Sequence, residues 1–572
     1  LERGVVDGRV TLRFEALVEG LRTLRLHCVD TRVLAVVGED AEPLTWHLKD
    51  GILAVDLAKP LPAGRGSFVK IAYRSKPRRG LYFHRPTKRH PETPLFMYSQ
   101  GQSNENRNWI PCYDLPDDRF ALDLHVTVPA ELKTVSNGRL VAQRDADDGR
   151  RTDHWRFADE TPSYLISLII GDLETIEDRW KDTTLEYTAV RGHAEELRTA
   201  LGETPAMLEF FSGELDAPYP WGRYAQTFVW DFIYGGMENV TATTLNMRAL
   251  HLPSARPNYT SEGLVAHELA HMWFGDLITC RTWDDIWLNE GFATYLTDLY
   301  FGHAYGRDAF LLRRRSQNRA YMDGTPFPES LGLHPHLRGD RPLELFGGKQ
   351  YARGAAILHM LRLELGDETY RDAIRAYVKR ERGSTATSED LRHAVEEVAG
   401  RDLKWFWDQW VYGAGYPVLD VSWDPGSGRL AVRQKQARKN GQGLFRLTLP
   451  TRLGPDGHGQ GLRIWREHHV FQLPVSVDGA SRYLRAGVGG DLLARVHVSQ
   501  DRMAWSRMLA SDPDVTARLD AIEALETYSG LAVPALVAAT SVDQEASWAV
   551  RKRAVEVLAR MDVDPRAGNA LV

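Results

Sequence analysis

Apolar and polar residues alternate near the start of the chain. Val10, Leu12, Phe14 and Ala16 interleave with Thr11, Arg13 and Glu15, and Leu24, Leu26 and Cys28 interleave with Arg25 and His27. A period of two predicts strands with one buried face. Turn-rich stretches such as Pro60-Leu61-Pro62-Ala63-Gly64 separate these runs, and the pattern continues to Leu185-Glu186-Tyr187-Thr188-Ala189-Val190. Residues 1–191 therefore read as a mostly antiparallel N-terminal β domain. From Gly192 the period becomes helical, starting with Glu195-Glu196-Leu197-Arg198-Thr199-Ala200 and running to Trp405-Phe406-Trp407-Asp408-Gln409-Trp410. Gly413, Gly415 and Pro417 end that run, which makes 192–415 a second domain. Alternation returns in Leu430 and Val432 and in Phe445, Leu447 and Leu449, with Asp424-Pro425-Gly426-Ser427-Gly428 suited to a hairpin loop. A small β-sandwich over 416–500 is the expectation.

The last stretch, 501–572, is helical again. Ala521-Ile522-Glu523-Ala524-Leu525 matches Ala554-Val555-Glu556-Val557-Leu558 at an offset of 33 residues, an interval that fits a helix-pair solenoid. Solenoids need about three repeats, and two fit before Val572, so this reads as an incomplete helical repeat domain. The fold class expected is thus multidomain α+β: an antiparallel β domain, a helical domain, a β-sandwich and an α-solenoid.

Length and charge narrow the classes. At 572 residues the chain is too long for one core. No apolar run approaches the ~20 residues of a membrane-spanning helix. Seventy-one basic against 77 acidic residues, a net charge of −6, leave no electrostatic footprint for nucleic acid, and the basic stretch around Lys76-Pro77-Arg78-Arg79 reads as a solvated loop. Three scattered cysteines, Cys28, Cys112 and Cys280, make no disulfide framework and favour a reducing, cytoplasmic compartment. The chain opens Leu1-Glu2-Arg3-Gly4 without a signal-like segment, so a secreted or periplasmic location would require a leader already removed. A monomer is the simplest expectation for the oligomeric state.

The chemistry concentrates in His267-Glu268-Leu269-Ala270-His271. Residues four apart share a helix face, so both imidazoles can reach one metal ion. Thr260 or Ser261 can cap this helix, Leu264 and Val265 begin its apolar face, and Gly275 can stop it. A catalytic zinc takes three protein ligands and leaves a fourth position for water. Glu290, eighteen residues beyond His271 in Trp287-Leu288-Asn289-Glu290-Gly291-Phe292, is the candidate third ligand. Asp284 or Asp285 could cap its helix and Gly302 could end it. This is the two-histidine, one-carboxylate set of a thermolysin-type hydrolase holding one zinc ion. Glu268, between the ligands, is placed to take a proton from water as general base and pass it to a leaving amine. His303, His334 and His336 show no ligand spacing.

Upstream stands Tyr234-Gly235-Gly236-Met237-Glu238-Asn239. Two glycines let a peptide backbone approach closely, and the carboxylate that follows is a fixed negative charge. Gly-Gly-Met-Glu-Asn ahead of His-Glu-x-x-His and the later glutamate resembles the gluzincin aminopeptidases, the family of aminopeptidase N, aminopeptidase B and leukotriene hydrolase. The resemblance covers most of the chain, including the domain order, and implies a thermolysin-like catalytic domain over 192–415 and a HEAT- or armadillo-like helical domain. It also implies roles. Gly235 and Gly236 would hold the substrate backbone, Met237 would line the first side-chain pocket, and Glu238 would bind the free α-ammonium of a peptide. Gln350-Tyr351-Ala352-Arg353-Gly354 is similar to the family's Tyr-x-Lys-Gly segment, which makes Tyr351 the oxyanion donor and leaves Arg353 in place of the usual Lys. Ser99-Gln100-Gly101-Gln102 looks like the family's N-terminal strand that reaches the site, with Gln102 where members carry Glu or Gln.

The expectation is a zinc-dependent aminopeptidase acting on peptides with a free N-terminus. A thermolysin-like endopeptidase and a leukotriene-hydrolase-like bifunctional enzyme share the same chemistry. A non-catalytic scaffold using the solenoid predicts a degraded metal motif, whereas His267, Glu268, His271, Glu290 and Tyr351 are all present. Met237 with Gln102 points only to an uncharged or mixed first-residue preference.

Overall fold

The computed structural model describes residues 1, 3–325, 333, 346–436, 443–455, 459–474, 483–487 and 490–561. His334, His336 and the end of the 501–572 stretch lie outside them. The chain forms two compact units. Of the described residues, the first takes in those within 1–289 and 375–391, and the second those within 290–325, 346–374 and 392–561 together with 333.

The first unit opens as the alternation predicts. Strand Val6–Glu15 pairs antiparallel with Gly66–Ser75, which pairs in turn with Thr31–Val37, while Ile52–Leu61 lies between Leu21–His27 and Trp46–Lys49. Leu26, Val33, Val36, Leu53, Val55, Val69 and Ile71 form their shared core. Each such fully buried side chain contributes roughly 1.5–3 kcal/mol. A four-stranded sheet (Lys133–Ser136, Leu168–Gly171, Phe96–Ser99, Leu81–His84) and a three-stranded one (Arg139–Asp145, Arg150–Thr161, Phe120–Pro129) follow, around Met97, Trp109, Val128 and Ile170.

The next sheet spans the sequence boundary at 191. Leu173–Trp180 and Thr183–Val190, counted above with the N-terminal β domain, are hydrogen-bonded into a five-stranded sheet with Arg223–Val229, Ala242–Asn246 and Gly236–Met237. Residue 191 falls within the chain of this sheet, whose first strand begins at Leu173. Thr183–Val190 and Arg223–Val229 run parallel, which requires a crossover, and helices Ala194–Leu201 and Thr204–Leu215 supply it. Strand Arg223–Val229 is buried at every position. A strand covered on both faces does not alternate, and so it is absent from the pattern reading.

In the second unit, helices Arg307–Gly324 and Gly354–Leu365 precede a sandwich of two sheets. One sheet orders His468–Gln472, Arg429–Gln434, Val418–Trp423 and Arg495–Ser499; the other orders Gln460–Ile464, Leu447–Leu453 and Leu484–Ala486. Asp424 makes the hairpin turn: its carboxylate accepts the Gly426 N–H at 2.9 Å and its carbonyl the Gly428 N–H at 2.8 Å. Helices Arg502–Ser511, Val515–Glu526, Val533–Ala538 and Trp548–Arg560 then share one core, and the two matching pentapeptides occupy equivalent buried stretches, with Ala521, Leu525, Ala554 and Leu558 all inside it.

His27 provides a test of the first unit's packing. Its Nδ1 accepts the Asp114 N–H at 3.0 Å, and burial, followed by the charge of Arg107, holds the imidazole below its ordinary value of 6.5. The unfolded chain therefore binds a proton there that the folded chain rejects, so stability is full above pH ~6.5 and falls as the pH drops through that value toward the lower folded pKa. Melting temperatures from pH 7.5 to 5.5 should fall, and His27→Asn should flatten the slope. Parallel slopes for the two proteins would remove His27 as a contributor.

Candidate metal centre

Helix Glu262–Ala270 buries Val265, Ala266, Leu269 and Ala270, and Glu268 between them is buried as well. Ser261 is its N-cap residue but makes no side-chain cap: the Ser261 hydroxyl donates to the Ala200 carbonyl, and the Thr260 hydroxyl accepts the Glu262 N–H at 3.2 Å. His271 Nδ1 lies 2.9 Å from the Phe274 carbonyl oxygen, an acceptor only, so Nδ1 carries the proton and Nε2 offers a lone pair. That Nε2 stands 3.1 Å from His267 Nε2, with the rings nearly perpendicular at 88°. Two nitrogens bound to one tetrahedral zinc at about 2.1 Å lie roughly 3.4 Å apart, close to this spacing.

Glu290 is the fourth residue of helix Trp287–Tyr305, whose first residues belong to the first unit. The Asp285 carboxylate, just ahead of that helix, accepts the Ser388 N–H at 3.0 Å and the Ser388 hydroxyl at 2.6 Å. Gly302 does not end it either, since the helix continues to Tyr305 and a Cβ on Gly302 would lie 3.1 Å from Phe310 Cβ. His267, His271 and Glu290 each offer a ligand atom, all within 4.8 Å of one another, and Glu238, Glu268 and His271 form a second such group. The donor set of two imidazole nitrogens and a carboxylate suits zinc.

Gly236–Met237 is the edge strand of the five-stranded sheet, paired with Ala242–Asn246 through Gly236↔Leu245 and Met237↔Thr244. Glu268 lies against it. A Cβ built on Gly236 would sit 2.5 Å from the Glu268 carboxylate carbon and 2.6 Å from its Cγ. Only glycine leaves Glu268 where it is. Gly236→Ala should therefore displace that carboxylate, at a cost in kcat on the order of 100-fold with little change in melting temperature. An unchanged kcat would show that Glu268 needs no such fit.

Gln102 Nε2 donates to Glu238 Oε1 at 3.1 Å, which brings these two predicted site residues together. Gln100, which the motif reading passed over, is fully buried and its Nε2 lies 3.3 Å from Met237 Sδ. Tyr351 belongs to the second unit, half-buried in the wide turn Lys349–Arg353 that opens helix Gly354–Leu365. Arg353 is fully buried, and its Nη2 donates to the Trp410 and Gly413 carbonyls at 3.0 and 2.8 Å.

Asp276 was invisible to sequence reasoning, because only the fold shows what surrounds it. It is fully buried with neither carboxylate oxygen hydrogen-bonded among the described residues. Burial, then the Glu238 charge, pushes its carboxyl well above the ordinary range.

Two family descriptions match the chain: the Peptidase M1 N-terminal domain over residues 1–165 and the Peptidase family M1 domain over 199–410. Among curated relatives, leucyl aminopeptidase of Saccharolobus solfataricus is 30% identical over 335 residues, covering 57% of this chain and 42% of its own. Aminopeptidase M1-C of Oryza sativa subsp. japonica is 27% identical over 527 residues, covering 90% and 56%. A probable aminopeptidase 2 of Sulfurisphaera tokodaii is 31% identical over 335 residues, covering 57% and 42%. The chain spans about half the length of these relatives. Since the two matched regions take in the β domain that carries Gln102 and the whole interval from Glu238 through Tyr351, the chain belongs to peptidase family M1, the gluzincin aminopeptidases.

Proposed function

We propose that the protein is a zinc-dependent aminopeptidase that hydrolyses the first peptide bond of peptides with a free N-terminus. The observation that carries this reading is the Gln102–Glu238 pair beside the histidines. Glu238 is 3% exposed and lies within a ligand-atom group with Glu268 and His271. A buried carboxylate next to the hydrolytic groups is a receptor for an ammonium, and it selects chain ends over internal bonds.

A zinc ion held by His267, His271 and Glu290 would polarise the scissile carbonyl and acidify water. The chain's own residues do the rest. The edge strand Gly236–Met237, with Gly235 beside it, offers main-chain groups to an extended peptide, as sheet edges do. Met237, steadied by Gln100, lines the first side-chain pocket. Glu268, held against Gly236, takes a proton from the attacking water and delivers it to the leaving amine nitrogen. Tyr351 donates its hydroxyl to the oxyanion as the carbonyl carbon becomes tetrahedral. The 501–572 helices are read as HEAT-like repeats, and the domains as 1–191, 192–415, 416–500 and 501–572.

Glu238→Gln tests this reading. A charge-assisted hydrogen bond to the substrate ammonium is worth about 1.5–3 kcal/mol, so kcat/KM on a free aminoacyl substrate should fall roughly 10- to 150-fold. Activity on the N-acetylated analogue should stay near zero. An undiminished kcat/KM would place the amine elsewhere.

A further inference from the structure

We infer that Tyr164 and Asn289, with Arg119, are positioning residues that orient His271, so that the metal centre depends on side chains from the N-terminal region. The inference rests on the metal-centre reading above. Its starting point is that His271 Nδ1 donates to the Phe274 carbonyl at 2.9 Å, in the loop that follows the helix. Groups that fix this loop therefore bear on the aim of His271.

That loop, residues 274–280, has little freedom of its own choosing. Gly275 adopts φ +143°, and a Cβ there would lie 3.3 Å from His271 Nδ1. The Asp276, Leu277 and Ile278 N–H groups bond back to the His271, Met272 and Trp273 carbonyls at 3.0–3.2 Å. The Gly275 carbonyl, next to Phe274, accepts the Thr279 hydroxyl at 2.7 Å and the Tyr164 hydroxyl at 3.4 Å. Arg119 grips the same loop from outside, donating to Thr279 Oγ1 at 2.5 Å and to the Asp276 carbonyl at 2.9 Å.

Tyr164 and Asn289 link this loop to the next ligand in sequence. The Tyr164 hydroxyl, buried at 1% exposure, also accepts from Asn289 Nδ2 at 3.1 Å, so its donor and an acceptor position are both used. Asn289 Oδ1 accepts the Cys280 N–H at 3.2 Å, at the far end of the loop. Asn289 immediately precedes Glu290. One phenol and one amide thus hold both ends of the loop that aims His271, and the amide sits on the backbone of the third candidate ligand. Tyr164 lies in the turn Ser163–Leu165 and Arg119 just before strand Phe120–Pro129, both N-terminal to the five-stranded sheet. Groups of this kind, one bond removed from a metal, alter its affinity by about 10- to 100-fold.

The test uses the full chain and zinc alone. Zinc dissociation constants are measured by competition with a chromophoric chelator for the wild type, Tyr164→Phe, Asn289→Leu and the double variant, with His271→Ala as control. The expected result is a 10- to 100-fold weaker Kd for each single variant and a double variant no weaker than the worse single one, because both act through one unit. Circular dichroism of the zinc-free forms should be unchanged. Wild-type Kd values in both single variants, with His271→Ala defective, would overturn the inference and leave the metal centre standing. Wild-type affinity in His271→Ala would instead overturn the metal-centre reading on which it rests. Should Asn289→Leu fail to fold, Asn289→Asp, which keeps the Cys280 contact and loses the donor to Tyr164, gives the same discrimination.

Discussion

Glu268→Gln should lower kcat by about 10²- to 10⁴-fold while leaving bound zinc and KM close to wild type. The amide has nearly the volume of the carboxylate, so the fit against Gly236 survives. What it loses is the capacity to accept a proton from water and hand it to the leaving nitrogen. Zinc content by atomic absorption and steady-state kinetics on one free aminoacyl-nitroanilide separate the two properties. A kcat within threefold of wild type would remove Glu268 as the base. Loss of zinc along with activity would mean that Glu268 holds the metal, an option its place in a ligand-atom group with Glu238 and His271 makes worth measuring.

The second large effect is expected from Tyr351→Phe. A missing oxyanion donor costs about 2.7–4 kcal/mol in the barrier, or 10²–10³ in kcat, with KM little changed. The neighbouring cation, Arg353, is the competing candidate. Its guanidinium is fully buried and donates to the Trp410 and Gly413 carbonyls, around the end of the helical segment Trp407–Val411, and to the Tyr321 hydroxyl. It therefore anchors the turn that carries Tyr351, a five-residue wide turn of the kind often found at functional sites. Arg353→Lys should change thermal stability more than kcat, and Tyr351→Phe the reverse. The opposite pattern would transfer the oxyanion role to Arg353.

Much of this was legible in the sequence, for identifiable reasons. Strand Val6–Glu15 alternates because one face is covered and the other is wet, and the sandwich strands Val418–Trp423 and Leu447–Leu453 do likewise. The metal motif was legible because its geometry is local: four residues make one helical turn, and His267 and His271 need nothing else to converge. Where both faces are covered the signal vanishes, as in Arg223–Val229, and with it went the true start of the five-stranded sheet. Capping was half legible. The Thr260 hydroxyl accepts the first N–H of the metal helix beside the N-cap Ser261, whereas Asp285 also bonds Ser388, a residue 103 positions away that no local rule can supply. The same holds for Tyr164 and Asn289, which meet across 125 residues of chain. Gly236 was legible as a place where a substrate backbone could approach, yet its tightest neighbour is the Glu268 side chain.

The central claim is that a free amine is read by Glu238 beside a zinc-dependent hydrolytic site. It is tested most directly by one panel of aminoacyl-nitroanilides (Ala, Leu, Met, Arg, Glu), each free and N-acetylated, assayed with and without a zinc chelator. The account predicts cleavage of free-amine substrates alone, abolished by the chelator and restored by added zinc. Cleavage of the acetylated set, or turnover indifferent to the chelator, would contradict it.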